Sequence, residues 1–419
     1  MHNAVTAQNG NLFIEGTALE TIANQYGTPS YVYSKAAISH NFLAYQEALA
    51  EKQHLICYAV KANSNIAVLQ TLAELGAGFD IVSSGELERV LRAGGDPAKV
   101  VFSGVAKTAD EMRRALEVGI HCFNVESEAE LELLNSTAAA CNLTADISLR
   151  VNPDVDAQTH PYISTGLKEN KFGIDINLAP QVYQRAAQMS HINVVGVDCH
   201  IGSQLVDTAP FVAALERLLT LVDQLAEQNI KLQHIDIGGG LGVRYESEEP
   251  PTTGAYMSEI LPLLKGRSET LVLEPGRSIT ANAGVLLTQV QYLKSNGEKN
   301  FAIVDGAMND MIRPALYQAW MDIQPVSATD AETHSYDVVG PVCETGDFLA
   351  KDRQLAISAG DYLCLFSAGA YGFVMSSNYN SRPRAPELMV DGDQVHVIRQ
   401  RESIEDLLNG EQLLPATQG

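Results

Sequence analysis

Lys61 is the first residue that suggests chemistry, because it ends an apolar run and begins a polar turn. The run covers residues 55–60 and the turn covers residues 62–65, so the side chain is expected at the carboxyl end of a buried strand. A lysine desolvated there is favoured as a neutral amine, the form that makes a Schiff base. The alternative is a lysine that only reaches solvent, and the segment alone favours it because most lysines are solvated.

Other reactive side chains are associated with further apolar runs. They are Asp80, His200, Ser203, the glycines 238–240, Glu274 and Arg277. A glycine run after a strand presents backbone N–H groups to a phosphate, although glycines also make tight turns. An amine, a phosphate loop and a carboxylate together meet the needs of pyridoxal phosphate, whose ring becomes an electron sink when an acid such as Glu274 keeps its nitrogen protonated.

Two of these residues also have an ordinary structural explanation. A lone histidine is more often a satisfied core residue, but His200 stands beside Gly202 and Ser203 at a strand end, which favours stacking on a cofactor ring. Asp80 suits the support of the following turn as well as the orientation of a neighbouring group. Both interpretations of Asp80 stay open at the level of sequence.

Eight short apolar runs between residues 55 and 274 are expected to position these side chains. Strand alternating with helix predicts a parallel sheet, and eight repeats predict an α/β fold closed as a (β/α)8 TIM barrel with its reactive residues at the strands' carboxyl ends. A doubly wound open sheet is the structural alternative, since the third run is short. The runs are residues 55–60, 79–82, 100–102, 121–125, 147–151, 194–199, 232–237 and 271–273.

The segments after the third and fourth runs carry helix start signals. Residues 108–111 (Thr-Ala-Asp-Glu) and 127–130 (Ser-Glu-Ala-Glu) both match the capping box. In this motif a Ser or Thr and a Glu three residues later satisfy each other's backbone N–H groups. We therefore predict a helix after each of these runs.

After Arg277 the pattern becomes that of a mostly β C-terminal domain. Apolar runs predict strands at residues 285–293, 301–304, 336–339 and 362–366, and Asp391-Gly392 between alternating apolar residues predicts a hairpin over 387–398. The first segment, residues 1–30, holds a predicted strand at 11–14 and a helix from about Thr17, and is expected to pack on the β domain. The barrel is predicted over residues 31–276 and the β domain over 277–419.

Composition and charge argue against several classes of partner. The chain has 419 residues and a formal net charge of −23, whereas nucleic acids and anionic membranes attract basic patches. No signal-peptide pattern and no run near 18 apolar residues occurs, so a cytoplasmic location is expected. The six cysteines are scattered without a C-x-x-C pair, and neither a disulfide framework nor a metal is expected. Cys343 differs from the other five, because its polar loop suits a free surface thiol or a functional one.

Six ordered motifs resemble those of the fold-type III PLP-dependent amino acid decarboxylases. The likeness runs from about residue 10 to residue 410. The motifs are Tyr-Ala-Val-Lys-Ala-Asn at 58–63, Phe-Asp-Ile-Val-Ser-Ser-Gly-Glu at 79–86, His-Ile-Gly-Ser at 200–203, Gly-Gly-Gly at 238–240, Glu-Pro-Gly-Arg at 274–277 and Gly-Pro-Val-Cys-Glu at 340–344.

The resemblance implies a role for each candidate residue. Lys61 would hold pyridoxal phosphate, His200 would stack on its ring, and Glu274 would pair with its nitrogen. The further cofactor-binding residues would be Asp80, Ser203, Gly239, Gly240, Gly276, Arg277 and Tyr371. The substrate-binding residues would be Arg277, Arg313, Tyr317, Glu344 and Tyr371.

In this family the segment that carries Cys343 completes the active site of a second subunit. The resemblance therefore implies a homodimer with shared active sites, in which Cys343 returns a proton after CO2 has left and Glu344 binds a distal ammonium group. Without the resemblance, Glu344 would be a solvated acid, and Tyr317 and Tyr371 would be packing aromatics.

The resemblance also implies a small-molecule substrate, diaminopimelate, with lysine as the product of the last step of lysine biosynthesis. The distal amino-carboxylate of this substrate needs cations and an acid, which Arg277, Arg313 and Glu344 would supply. Relatives that act on ornithine, lysine, arginine or carboxynorspermidine are the nearest alternative. Ornithine-type relatives typically carry Asp directly after the cysteine, so Glu344 counts against them.

Three more distant alternatives fit the motifs less well. Alanine racemase would use a tyrosine as its second base and should lack the Cys343-Glu344 pair. A Schiff-base aldolase without cofactor would have no use for the glycine loop or Glu274. A protein of PLP homeostasis is usually the barrel alone, and an inactive regulator should have lost some of the site residues.

Overall fold

The computed structural model describes residues 4–155 and 171–415. These residues form two compact units, which we call the barrel unit and the β unit. The barrel unit is Lys35–Ala283, and the β unit combines Ala4–Ser34 with the described residues from Gly284 onwards. Each boundary thus lies a few residues beyond the predicted 30/31 and 276/277.

The displaced boundaries have a physical reason. The tail of the barrel unit is bound to the rest of that unit, because Asn41 Nδ2 donates to Ile279 O at 2.8 Å and the hydroxyls of Tyr45 and Ser278 lie 2.7 Å apart. Residues 30–34 form a strand of the β unit, so the amino-terminal segment ends four residues later than predicted.

Twenty-one strands and twelve α-helices lie within the described residues. The strands are β1 (Val5–Gln8), β2 (Asn11–Ile14), β3 (Thr17–Ala18), β4 (Ser30–Ser34), β5 (His54–Ala59), β6 (Gly78–Ile81), β7 (Val100–Phe102), β8 (Cys122–Val125), β9 (Ala145–Asn152), β10 (Ile174–Asp175), β11 (Ile192–Asp198), β12 (His234–Asp236), β13 (Thr270–Leu273), β14 (Gly284–Ser295), β15 (Asn300–Val304), β16 (Ile323–Pro325), β17 (Thr333–Val339), β18 (Phe348–Ala356), β19 (Tyr362–Leu365), β20 (Glu387–Asp391) and β21 (Gln394–Arg399). The helices are α1 (Leu19–Tyr26), α2 (Lys35–Ala48), α3 (Ile66–Glu74), α4 (Ser84–Arg92), α5 (Ala109–Val118), α6 (Glu128–Ala140), α7 (Ala179–Ala186), α8 (Ala209–Glu227), α9 (Thr253–Ile260), α10 (Arg277–Thr280), α11 (Arg313–Tyr317) and α12 (Ile404–Leu408).

The barrel unit contains a closed barrel of eight parallel strands. Its order is β9-β11-β12-β13-β5-β6-β7-β8, and β8 pairs again with β9, for example Phe123 with Ile147. All eight predicted runs are strands of this barrel, which confirms the predicted fold. The open doubly wound sheet is wrong, because such a sheet would leave β8 and β9 as unpaired edges.

The two predicted helix starts are both real, but only one is a full capping box. Thr108 and Glu111 satisfy each other's backbone N–H groups at the start of α5. At the start of α6, Ser127 accepts from the Glu130 amide, whereas the Glu130 carboxylate accepts from the Glu126 amide and from Lys107. At this second helix the Glu130 carboxylate therefore binds the buried Lys107 amine and the Glu126 amide, and not the Ser127 amide that a capping box requires.

Apolar side chains fill one part of the barrel interior. The cluster consists of Cys57, Val101, Cys122, Val195 and Val272. Its cysteines Cys57 and Cys122 are buried free thiols.

A histidine closes the same part of the interior. His234, at the start of β12, lies 2.8 Å from the Ser148 hydroxyl through its Nε2 atom. Burial lowers the pKa of His234 to about 3, so the ring is neutral at neutral pH. Its neighbour on β11 is Gly196, whose lack of a side chain leaves room for the imidazole.

The β unit is built around one sheet with the order β18-β17-β15-β14-β4-β20-β21. In addition, β19 pairs with β14, and β16 pairs with β19. Strands β14, β15, β17 and β19 lie at the predicted runs, and the predicted hairpin is β20–β21 with Gly392 at φ 68°. The helix predicted from about Thr17 begins at Leu19, because Thr17–Ala18 pairs with β2 as strand β3.

The described residues contain no helix that combines enough length and enough apolar character to cross a membrane.

Gly196→Ala should destabilise the barrel, because a Cβ atom there would lie 2.0 Å from His234 Nε2. We expect the free energy of unfolding to fall by roughly 1–3 kcal/mol, the cost of overpacking a core. Gly254→Ala is the matched control, since the nearest atom to its new Cβ, Thr252 Oγ1, is 4.0 Å away. Chemical denaturation of both variants measures the difference, and an equal stability of the two would contradict the packing argument.

Candidate active site

Lys61 lies in a short 3-10 turn, Val60–Ala62, directly after β5. The segment that follows β13 packs against this turn, because a Cβ atom on Gly276 would lie 2.9 Å from the Cβ of Ala62. The Ala59 amide also donates to Pro275 O at 3.1 Å. The lysine and the Glu-Pro-Gly-Arg segment are thereby fixed next to each other, as the predicted barrel rim requires.

The Lys61 amine is paired with the Asp80 carboxylate on the neighbouring strand β6. The lysine side chain is 36% exposed, whereas Asp80 is fully buried. The expectation of a desolvated amine is therefore wrong, because about a third of the lysine side chain is exposed to solvent and its amine contacts a carboxylate. Of the two interpretations of Asp80, the structure has the one in which it orients a neighbouring group.

His200 follows β11 and is held as a neutral imidazole. Its Nδ1 atom accepts a hydrogen bond from the Gly239 amide at 3.3 Å, so the proton of the neutral ring is on Nε2. Burial lowers the pKa of His200 well below its ordinary value, and the positive charges of Arg150 and Lys61 lower it further. The ring is therefore fixed in one tautomer at the glycine loop.

Glu274 lies at the end of β13, with its carboxylate inside the barrel. Its Oε1 atom accepts from Asn124 Nδ2 at 3.1 Å and from the Ser103 hydroxyl at 3.4 Å. Burial raises the pKa of Glu274 well above its ordinary value, and the nearby acids Asp236 and Asp80 raise it further. The groups of this chain therefore disfavour the ionised form of the Glu274 carboxylate.

The glycine loop packs so closely that side chains are excluded from it. A Cβ atom on Gly239 would lie 2.2 Å from Glu274 O, and Gly240 has φ 116°, which favours glycine. Arg277 lies close by in sequence to Glu274, and its Nη2 and Nε atoms donate to the Ser203 hydroxyl at 3.0 and 3.2 Å. Its Nη1 atom donates to the Tyr245 hydroxyl at 2.6 Å.

Three buried acids converge beneath the rim. Carboxylate oxygens of Asp198, Asp236 and Glu274 lie within 4.8 Å of one another. Burial raises the pKa of Asp236 to about 7, and burial together with Asp236 raises the pKa of Asp198 well above its ordinary value. Asp198 Oδ1 and Asp236 Oδ2 are buried atoms without a hydrogen-bond partner among the described residues.

Several residues of this site were missed by the sequence analysis. They are Asp198 and Asp236 inside the strands, Ser103 beneath Glu274, and Tyr245 beside Arg277. The strand period could have found the two aspartates, since Asp198 precedes His200 by two residues and Asp236 precedes Gly238 by two. Residues two apart in a strand point to the same face, here the barrel interior.

In the β unit, Cys343 and Glu344 lie on a loop that we call the cysteine loop, residues 340–347. Both residues are exposed. The Cys343 amide donates to Asn380 Oδ1 at 2.8 Å, and the Tyr379 hydroxyl donates to Glu344 Oε1. The loop therefore presents a thiol and a carboxylate side by side at the surface of this unit.

The remaining candidates also lie in the β unit. Arg313 begins α11 and is 7% exposed, with Tyr317 one turn later and half-buried. Side chains four residues apart share a helix face, so the two can bind one ligand group. Tyr371 has φ 54°, an uncommon conformation for a tyrosine that often marks a functional position.

Comparison with known proteins identifies the family. Residues 35–281 match the pyridoxal-binding domain of the pyridoxal-dependent decarboxylases. The chain is 66% identical to the diaminopimelate decarboxylase of Pseudomonas aeruginosa over 97% of its own length and 98% of that protein. The chain belongs to the diaminopimelate decarboxylase family. The family member of Vibrio cholerae is 57% identical over 97% of this chain and 98% of its own length.

Solved structures of the family have the same fold. The diaminopimelate decarboxylase of Helicobacter pylori complexed with L-lysine is 45% identical, with a TM-score of 0.90 over 93% of this chain and 98% of that one. The enzyme of M. jannaschii, in co-complex with L-lysine, is 38% identical with a TM-score of 0.94 over 99% and 98%. The resemblance found in the sequence is confirmed.

The rim of the barrel unit fits the pyridoxal phosphate that the family name implies. Burial raises the pKa of the acids Asp198, Asp236 and Glu274, and a protonated ring nitrogen beside Glu274 would supply a positive charge that favours their ionised forms. The glycine loop has no side chains that would obstruct a phosphate, and the Ser203 hydroxyl lies beside it. The amides of Gly238 and Gly239 already donate to Asp236 and His200. These features suit a ligand that is cationic at one end and anionic at the other.

The pH dependence of stability should reveal the buried acids in the cofactor-free protein. Folding raises the pKa of Asp236 from 3.8 to about 7, so ionisation costs the folded state. The stability present below about pH 4 is therefore lost as the pH rises towards 7. In Asp236→Asn this loss is absent, because the amide does not titrate but still accepts from the Gly238 amide.

We expect the unfolding free energy of the unmodified chain, relative to Asp236→Asn, to fall by roughly 1–4 kcal/mol between about pH 4 and pH 8. Chemical denaturation at several pH values measures this difference. Gly254→Ala serves as a control without a titratable group. A difference that does not change with pH would show that Asp236 ionises normally in the folded chain.

Proposed function

We propose that this chain catalyses the PLP-dependent decarboxylation of meso-diaminopimelate to L-lysine and CO2, the last step of lysine biosynthesis. The observation that carries the proposal is near full-length similarity to diaminopimelate decarboxylases in a chain that has every candidate residue of the barrel rim and of the cysteine loop. Complexes of two solved relatives with L-lysine support the proposed product.

In this proposal the barrel unit holds the cofactor. Lys61 would hold the cofactor through its carbonyl group, His200 would stack on the ring and Glu274 would pair with the ring nitrogen. The phosphate would be held by Ser203, Gly239, Gly240 and Tyr371. When bound, pyridoxal phosphate supplies an electron sink for the pair left behind by the departing CO2.

The polar groups of the rim keep these side chains in place. Asp80 holds the Lys61 amine by their ion pair, and the Gly239 amide keeps His200 in the neutral tautomer. A neutral imidazole suits a ring that is itself positively charged, because a second cation would repel it. Asn124 holds Oε1 of Glu274, so that Oε2 can face the ring nitrogen.

Proton return is assigned to Cys343 in this proposal. The Cys343 thiol gives its proton to the substrate carbon that has lost its carboxylate. Protonation at this carbon yields an amine as the product. The exposure of the thiol supports this role, because a buried structural cysteine would not be available to a substrate.

Specificity is assigned to the far end of the substrate. Arg277, Arg313 and Tyr317 bind the distal carboxylate, and Glu344 binds the distal ammonium group. The shared helix face of Arg313 and Tyr317 supports their joint role. An exposed Glu344 supports its role as well, since the carboxylate is available to a ligand.

The assembly in this proposal is a homodimer whose active sites are shared between subunits. The cysteine loop exposes Cys343 and Glu344, two reactive side chains that a single chain leaves in solvent. In the dimer, these side chains would reach the substrate that is bound in the active site of the second subunit.

Release of CO2 from four amino acids tests the proposed function. We expect diaminopimelate to be decarboxylated with a kcat/KM roughly 10²–10⁴ times that for lysine, ornithine or arginine, because a site built for polar groups rejects analogues that lack them. If the cofactor-loaded protein released no CO2 from any of the four substrates, the proposal that it is a decarboxylase would be contradicted.

Arg313→Ala is the matched variant for this panel. Loss of a charged hydrogen bond should raise KM for diaminopimelate by roughly 10–100-fold. Ornithine has no distal carboxylate, so its KM should change little. Equal effects on both substrates would rule out the proposed role of Arg313.

Cys343→Ala should lower kcat by roughly 10²–10⁴-fold while the absorbance of the bound cofactor is retained, since the variant loses a proton donor and not a cofactor ligand. Lys61→Ala should lose both the absorbance band and the activity. Spectra and turnover of the two purified variants measure this contrast. An unchanged kcat in Cys343→Ala would remove the cysteine from the reaction.

Co-expression of the two variants tests the shared site. Half of the dimers should be mixed, and one of their two sites should carry both Lys61 and Cys343, so about a quarter of the normal activity should return. Without any recovery, each site is built from one chain.

A further inference from the structure

The cysteine loop has a backbone that is fixed by a buried acid. Asp347 is 3% exposed, its Oδ2 atom accepts from the Val342 amide at 2.7 Å, and its Oδ1 atom accepts from the Met308 amide at 2.7 Å. These bonds fix the loop at Val342 and at Asp347, on either side of Cys343 and Glu344. They do not orient the side chains of Cys343 and Glu344, which lie between them and are exposed.

A second segment of the β unit, residues 377–382, contacts both members of this pair, through the Glu344 side chain and the Cys343 backbone amide. Tyr379 donates its hydroxyl proton to Glu344 Oε1 at 2.5 Å. The next residue, Asn380, accepts from the Cys343 amide at 2.8 Å. Two consecutive residues therefore hold the two members of the thiol-carboxylate pair, one each.

This second segment is itself anchored. The Ser377 amide donates to Asn309 O at 2.9 Å, and Arg382 Nε donates to Asn309 Oδ1 at 3.0 Å. Asn380 has φ 58° and ψ 28°, a left-handed conformation that asparagine tolerates better than most residues. Asparagine is thus well suited to this position, because it tolerates the left-handed backbone and supplies the Oδ1 atom that accepts from the Cys343 amide.

The contact between Tyr379 and Glu344 contributes little to folding. Tyr379 is 43% exposed and Glu344 is exposed too, so water competes for both groups. What the hydrogen bond does fix is geometry, because it directs one carboxylate oxygen to the tyrosine. Glu344 also raises the pKa of the Tyr379 hydroxyl, so the tyrosine remains a donor.

We infer that Tyr379 and Asn380 are positioning residues for the decarboxylation, and that this inference rests on the proposed function. Tyr379 holds Oε1 of Glu344 and so directs Oε2 to the ammonium of the substrate's distal amino-carboxylate. Asn380 fixes the backbone of Cys343 and thereby the position from which its thiol delivers the proton. The first residue acts on substrate selection and the second on the chemical step.

Tyr379→Phe tests the first half of the inference in the cofactor-loaded enzyme. We expect KM for meso-diaminopimelate to rise roughly 3–10-fold with kcat within about twofold, as for the loss of one hydrogen bond that orients a ligand group. Tyr292→Phe is the matched control, because Tyr292 lies in the same unit and is 70% exposed. An unchanged KM in Tyr379→Phe would overturn the assignment.

The double variant with Glu344→Gln asks whether Tyr379 acts through Glu344. If it does, Tyr379→Phe should add less than about twofold to the KM of Glu344→Gln, since the group it orients has already been altered. Effects that multiply in full would show that the tyrosine acts independently of Glu344 and would overturn the inference.

Two substitutions of Asn380 test the second half. Asn380→Gly accepts the left-handed backbone but removes the acceptor, and we expect kcat to fall roughly 5–20-fold with little change in KM. Asn380→Asp keeps an acceptor oxygen and should retain most of the wild-type kcat. An equal fall in both variants would indicate a structural role only and overturn the positioning role.

The failure of this inference is distinguishable from failure of the proposed function. If the unmodified enzyme releases CO2 from meso-diaminopimelate and the Tyr379 and Asn380 variants behave like the Tyr292 control, only the inference is overturned. If the unmodified enzyme releases no CO2 from it, both are overturned.

Discussion

The parallel pairing of β8 with β9 is the constraint on which the rest of the barrel unit depends. Closure of the ring brings the carboxyl ends of all eight strands to one rim, so residues far apart in sequence become neighbours. Lys61 and Glu274 come from adjacent strands in the ring, although more than two hundred residues separate them. An open sheet of the same strands would have left β8 and β9 at opposite edges.

Closure also concentrates negative charge. Several acids point into the interior, and burial raises the pKa of Glu274, Asp198 and Asp236. A chain without its cofactor carries this arrangement as a cost to stability, whereas a cationic ring nitrogen at Glu274 would reduce it. The same acids thus oppose folding of the empty chain and favour binding of the cofactor.

Much of this architecture could be predicted because its signals are local. Each strand of the barrel is a short apolar run, and the capping box at Thr108 lies within four residues. The contacts that could not be predicted join distant segments, as in the pairing of Lys61 with Asp80 or of Glu344 with Tyr379. Nothing in either segment alone determines these partners, because they depend on how the strands and loops are arranged in space.

The position of β4 has a consequence for the order in which the chain can fold. This strand pairs with β14 on one side and with β20, near the other end of the chain, on the opposite side. During synthesis, β4 leaves the ribosome before the barrel strands. Both of its partners are made only after all eight barrel strands have been completed. The barrel can therefore form first, after which β4 can pair with β14, whereas its pairing with β20 must wait until the last part of the chain has been made.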